Sequence, residues 1–203
     1  KYNIEKKKIS IIPNFIQLEN FKPNSNIEKV YEMIFIGRIE KQKNIETLIK
    51  VMIDLQLKIL IIGNGRLNKY LERKFESLCR GSRWIKNVNN TKIPFYIHQS
   101  KFFILPSFYE GQPKSLLEAM ACGIPIIGAD SPGINQLITH KKNGILCDTD
   151  HDSIKTAILE LDGDTEMQNK IIKNGIKYIT HHVSPEKNIQ KELDIYHKII
   201  KSA

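Results

Sequence analysis

The hydrophobic positions of this chain change period along its length. Glu32 to Gly37 carries the continuous apolar run Met33-Ile34-Phe35-Ile36, as a strand buried on both faces requires. Ile45, Leu48, Ile49 and Met52 then recur at helical spacing, which predicts a helix from Asn44 to Asp54. Leu57 to Gly63 repeats the strand pattern, and Leu67, Leu71 and Phe75 predict a second helix from Gly65 to Leu78. Further strands are predicted over Arg83–Lys86, Phe102–Pro106, Ile124–Gly128 and Gly144–Cys147. Helices are predicted around Pro94–Gln99, over Pro113–Cys122, and in three closing segments, His151–Leu161, Thr165–Thr180 and Ser184–Lys201. Strands that alternate with helices, and that are apolar throughout, predict an α/β fold with one doubly wound parallel sheet of about six strands.

Composition narrows the class. At 41% hydrophobic and 26% charged, the 203 residues can bury a core, which excludes a disordered chain. Apolar runs such as Ile59–Ile62 fall far short of the ~20 residues of a membrane-spanning helix. No N-terminal stretch has the residue order of a signal peptide. A net charge of +9 admits nucleic acid, an anionic membrane surface or small phosphorylated ligands as partners. Only Lys6-Lys7-Lys8 is a basic cluster and there is no RNP-like aromatic motif, so nucleic acid is not expected. Isoleucine is abundant (35) and alanine scarce (5), the bias of an AT-rich gene, which would also raise Lys and so part of the charge. The three cysteines are odd in number and widely spaced, and His181-His182 has no metal-ligand spacing beside it. Neither a disulfide framework nor a zinc site is expected, and a reducing compartment is.

In doubly wound sheets, ligands gather at the carboxyl ends of the strands where the strand order reverses. After the first predicted strand comes Gly37-Arg38 and, five residues on, Lys43-Asn44. The Arg and the Lys could converge on a diphosphate as a fork and a point charge, or form a solvated basic turn. After the second comes Gly63-Asn64-Gly65, which permits a tight turn or a close approach of backbone or ligand. After the fourth comes Pro106-Ser107-Phe108-Tyr109-Glu110-Gly111-Gln112-Pro113, leading into Lys114-Ser115-Leu116-Leu117-Glu118 and ending at Gly123. Pro113 suits a first helical position and Gly123 the position past the end. The free amides near Lys114 and Ser115 would then form an anion site. Glu118 shares a helix face with Lys114 and Ser115, and Glu110 precedes the amides. Two carboxylates beside an anion site would suit sugar hydroxyls as donors. The alternatives are a capping acid and an exposed helix Glu.

The Glu110 to Glu118 spacing within Glu-Gly-x-Pro-x-Ser-Leu-Leu-Glu-Ala-Met-Ala-Cys-Gly-x-Pro resembles the signature of retaining glycosyltransferases of family four, which have the GT-B fold. Phe35-Ile36-Gly37-Arg38-Ile39 through Lys43-Asn44 is similar to that family's turn after its first strand, and Leu60 to Gly65 to its second-strand Gly-x-Gly. Ile11-Ile12-Pro13-Asn14 followed by Phe21 resembles the crossover into its C-terminal domain. The resemblance covers nearly the whole chain.

It implies a site for a nucleotide diphosphate sugar, with a uridine or guanosine base. Arg38, Lys43 and Glu110 would be catalytic, the two cations holding the diphosphate in place of a divalent metal, so that no cofactor is implied. Amides at Lys114 and Ser115 would add to them. Glu118 would hold the ribose, Glu110 the sugar, and the backbone near Val88 the base. Gly37, Gly111 and Gln112 complete the implied set. Gln112-Pro113 replaces the family's commoner Phe-Gly, which puts the sugar contacts in doubt. The chain would be the C-terminal, Rossmann-like half of a GT-B fold: residues 1–25 the crossover, 26–183 the donor domain, and 184–203 a helix returning to an N-terminal acceptor domain. Alone it would transfer no sugar. The acceptor would be a glycan or a lipid-linked glycan in bacterial cell-surface polysaccharide or lipopolysaccharide synthesis. The enzyme would be cytoplasmic, with peripheral contact to the inner face of an anionic membrane. A non-catalytic nucleotide-binding module or a GT-B sugar-nucleotide epimerase are the other readings of the same fold.

Overall fold

Six of the apolar runs lie side by side in one sheet. The computed structural model describes residues 5, 8–183 and 185–202. Of the basic triplet, Lys6 and Lys7 lie outside the described residues, as does Ser184 at the expected start of the last helix. The strands are β1 (Tyr31–Ile36), β2 (Ile59–Ile62), β3 (Arg83–Ile85), β4 (Ser100–Leu105), β5 (Ile126–Ala129) and β6 (Ile145–Cys147). All pair in parallel, in the order β3-β2-β1-β4-β5-β6. Met33 of β1 pairs with Ile59 on one side and Phe102 on the other. Every residue of β2 and β5 is buried, which is why these strands show no polar alternation.

Among the described residues there are seven α-helices, four of them between strands, α1 (Ile45–Leu55), α2 (Asn68–Leu78), α3 (Ile93–His98) and α4 (Lys114–Ala121), and three after β6, α5 (His151–Asp162), α6 (Thr165–His182) and α7 (Pro185–Ser202). In α1 the stripe read from the sequence, Ile45, Leu48, Ile49 and Met52, is buried. Asp150 and Asp164 cap α5 and α6, accepting from Ser153 N at 2.9 Å and Met167 N at 2.8 Å. Among the described residues no helix is long and apolar enough to cross a membrane. The three cysteines are free thiols. Burial pushes Cys122 and Cys147 up to about 12.

Several boundaries differ from the sequence expectation by a few residues, and three of the differences have a local cause. Helix α2 starts at Asn68 rather than Gly65 because the turn is bonded to the loop after β1. Ile39 N donates to Asn64 O at 3.0 Å, and Leu67 N to Ile39 O at 3.2 Å. A Cβ on Gly65 would lie 2.3 Å from Ile39 O, so the glycine serves backbone against backbone. Strand β5 starts at Ile126 because Ile124 belongs to the turn after α4, its N–H donating to Ala119 O at 3.4 Å. Pro113 stands just before α4 instead of inside it, while Gly123 ends it at φ +70° as expected.

The sheet order fixes where a ligand can sit. From β1 the chain winds outward through β2 and β3, then returns to β4 on the other side of β1. The loops after β1 and β4 therefore meet at the reversal.

Candidate functional site

The loop after β1 ends in a left-handed residue, Asn44 (φ 54°, ψ 32°), buried with its Nδ2 on Thr149 O at 2.7 Å. Gly, and after it Asn and Asp, adopt this conformation at the lowest cost. That is a physical reason for Asn at the position after Lys43. The turn sets Lys43 facing the loop after β4. Those two loops are joined by Phe108 N on Gln42 O (2.9 Å), Gln42 Nε2 on Tyr109 O (2.6 Å), and Lys43 Nζ on Glu110 Oε1 (2.5 Å). The Lys43 and Glu110 side chains are only 11% and 8% exposed. The sequence reading gave these two groups separate duties, whereas in the free protein they neutralise each other. Arg38, by contrast, is exposed and makes no ion pair or side-chain hydrogen bond among the described residues.

Helix α4 begins at Lys114 with no side chain capping its first turn. Its leading amides thus remain available to an anion. Lys114 is exposed and Ser115 half-buried. One turn on, Glu118 is 5% exposed, so it is not the solvated helix Glu that the alternative reading required. Its carboxylate accepts no hydrogen bond among the described residues. Burial raises its pKa to about 7, against the pull of Lys114. A largely buried carboxylate that only solvent reaches can accept from hydroxyls or amides brought to it.

Two features escaped the sequence reading. Ser107, at the end of β4, is fully buried and its Oγ is the one buried side-chain polar atom without a partner among the described residues. Its carbonyl accepts from Ser131 Oγ at 2.8 Å. Gly133, in the loop after β5, has φ +84° and lies so close to Glu110 that a Cβ would be 2.2 Å from Glu110 O. Glu110 N donates to the neighbouring Pro132 O at 2.8 Å. The Ser-Pro-Gly tripeptide at 131–133 was the available signal, though nothing in it names the loop it meets.

The structure therefore places Gly37, Arg38, Lys43, Glu110, Gly111, Gln112, Lys114, Ser115 and Glu118 around the β1–β4 reversal. Val88, half-buried in the loop after β3, lies at the same end of the sheet but two strands from β1. The side chain of Gln112 is turned to Asn14: its Oε1 accepts from Asn14 N, and its carbonyl accepts from Asn14 Nδ2 at 2.7 Å. Among the described residues, no three of His, Cys, Asp or Glu group as ligands for a metal ion.

The family model of Glycosyl transferases group 1 matches residues 17–178. The chain is similar to the UDP-Gal:alpha-D-GlcNAc-diphosphoundecaprenol alpha-1,3-galactosyltransferase of Escherichia coli. The two are 28% identical over 213 residues, covering 95% of this chain and 55% of that protein. In fold it is similar to Anabaena HepE in complex with UDP-glucose, with a TM-score of 0.86 and 17% identity, covering 97% of this chain and 59% of that one. It is also similar to the C-terminal domain of the LpcC glycosyl transferase group 1 family protein from Francisella tularensis. There the TM-score is 0.74 and the identity 22%, with 84% of this chain and 99% of that chain covered. The chain spans about half the length of the curated relatives it matches.

Proposed function

The chain belongs to the group 1 glycosyltransferase family, and from that membership we propose that it is the half of a sugar-transferring enzyme that holds the nucleoside diphosphate sugar. The observation that carries this reading is the meeting, at one sheet reversal, of an unpaired Arg38, the Lys43–Glu110 pair, the uncapped start of α4 and the buried Glu118. Arg38 and Lys43 grip the diphosphate with the α4 amides. They hold the charge that develops on it as the sugar–phosphate bond breaks, the task a divalent metal performs in other enzymes. Glu118 takes the ribose hydroxyls and Glu110 the hydroxyls of the sugar, which leaves with retained configuration. The backbone about Val88 takes the base, uridine or guanosine.

The remainder of the enzyme, an N-terminal domain, supplies the acceptor site. Support comes from the length of the relatives and from α7, which leaves Ile189, Leu193, Tyr196 and Ile200 exposed at spacings of four, three and four. Ile9, Ile11, Ile12 and Phe15 are exposed as well, in the segment whose Pro13 carbonyl accepts from Asn188 of α7. A relative that acts on a diphosphoundecaprenol-linked sugar favours a lipid-linked glycan as the acceptor, at the surface of an anionic membrane. The 203-residue chain by itself closes no cleft over its donor, and is expected to bind nucleotide sugar without transferring it. Sugar transfer above background by the purified chain, to any glycan or lipid acceptor, would refute this division of labour.

Calorimetry with free and sugar-bearing uridine and guanosine diphosphates tests the site. Glu110→Ala is expected to bind the free diphosphate at least as tightly as the unaltered chain, since Lys43 no longer has to leave Glu110. The nucleotide sugar should bind about tenfold more weakly, the loss of one or two charge-assisted bonds less ordering costs. An equal loss for both ligands would mean that Glu110 only holds Lys43 in place.

A further inference from the structure

Gln112 stands where the sequence departs from the family's pattern, and the structure shows what its side chain does. With Asn14 it forms a closed pair of hydrogen bonds between residues 98 positions apart: Asn14 N on Gln112 Oε1 and Asn14 Nδ2 on Gln112 O, the latter at 2.7 Å. The adjoining Pro13 carbonyl accepts from the buried Asn188 Nδ2 of α7 at 2.6 Å. One chain of hydrogen bonds thus runs from α7 through the segment entering the domain to the loop before α4.

That loop is held at both ends. Upstream, Glu110 is fixed by Pro132 O and by Lys43. Downstream, Pro113 has its φ locked by its ring, at −70°, and restricts Gln112 before it. Between them lies Gly111, exposed, with open space where a Cβ would be. Gly111 is free to swivel unless something holds Gln112, and the Asn14 clasp is what holds it.

We propose that Gln112 is a positioning residue for the sugar of the donor. By clasping Asn14 it sets the Glu110-Gly111-Gln112 span in its gripping geometry and ties that geometry to the segment entering the domain and to α7. The proposal rests on the donor-site reading above. It assigns Gln112 no contact with the ligand.

The test is titration of the 203-residue chain with uridine and guanosine diphosphates and with their glucose, galactose and N-acetylglucosamine forms, using the tightest pair. Gln112→Ala should weaken the nucleotide sugar fivefold or more and the free diphosphate less than twofold. Gln112→Glu keeps an oxygen for Asn14 N and should stay within twofold for both. Asn14→Ala, which removes the second bond of the clasp, should weaken the sugar form too, and Asn14→Ala with Gln112→Ala, which removes both bonds, should weaken it at least as much as either alone. A merely structural staple would move both ligands together. Equal losses for the two ligands, or no loss, overturn the proposal while leaving the donor site standing. Failure of the unaltered chain to bind either ligand overturns the donor site, and the proposal falls with it.

Discussion

Replacing Arg38 and Lys43 together with alanine is expected to weaken nucleoside diphosphate binding by a hundredfold or more. Hydrogen bonds to charged groups are worth about 1.5–3 kcal/mol each, and about 1.4 kcal/mol is tenfold in affinity, so two such contacts reach that loss. The two residues should not be equal. Arg38 is exposed and has no ion pair among the described residues, so its removal takes away one fork and leaves no buried charge behind. Lys43 is nearly buried against Glu110. Its removal leaves a carboxylate that is 8% exposed with no cation, next to the place the phosphates must occupy. Lys43→Ala is therefore expected to cost more than Arg38→Ala, and adding Glu110→Ala should restore part of the loss. Calorimetry on the four variants checks the order, and EDTA is expected to leave the unaltered chain's affinity unchanged. Full binding by the double variant, or loss of binding in EDTA, would sink the assignment.

Glu118→Gln is expected to stabilise the free protein by about 3 kcal/mol at pH 8 while weakening its hold on nucleotide. Burial raises the Glu118 pKa from the usual 4.5 to about 7. At about 1.4 kcal/mol per pKa unit that gap is worth about 3 kcal/mol. The sign follows from proton linkage. The folded state holds this proton more tightly than the unfolded chain does, so the stability it contributes is full below pH 4.5 and lost as pH rises to about 7. Above that pH the native protein carries either a buried charge or a proton held against solvent demand. A neutral amide of the same shape carries neither cost. Denaturant unfolding of both proteins at pH 5 and pH 8 should show near equality at pH 5 and the full gap at pH 8. Equal stability at pH 8 would mean that water reaches the carboxylate freely. The same residue is thus a burden to the empty fold and a grip for ribose, a trade often found at binding sites.

Much of this protein was legible in its sequence, because the signals concerned are local. A strand buried on both faces has to be continuously apolar, so β1, β2, β4 and β5 announced themselves, and their alternation with helices left little choice beyond a parallel doubly wound sheet. The stop at Gly123 was also local, decided by what one residue's backbone can do. So was the set of residues at the strand ends, since a parallel sheet brings every loop that follows a strand to one side.

What only the tertiary structure decided is which of those residues touch. Lys43 and Glu110 are 67 positions apart, and no periodicity links them; they meet because β4 returns to lie beside β1. Glu118 lies on a helix whose sequence fits an exposed or a buried carboxylate equally, and its burial follows from α4 packing between the sheet and α6. Gly133 under Glu110, and Asn14 on Gln112, are contacts between loops whose chemistry is unremarkable taken singly. Burial and hydrogen-bond partnership depend on what the rest of the chain brings near. A sequence pattern reports only which face of its own element a residue occupies.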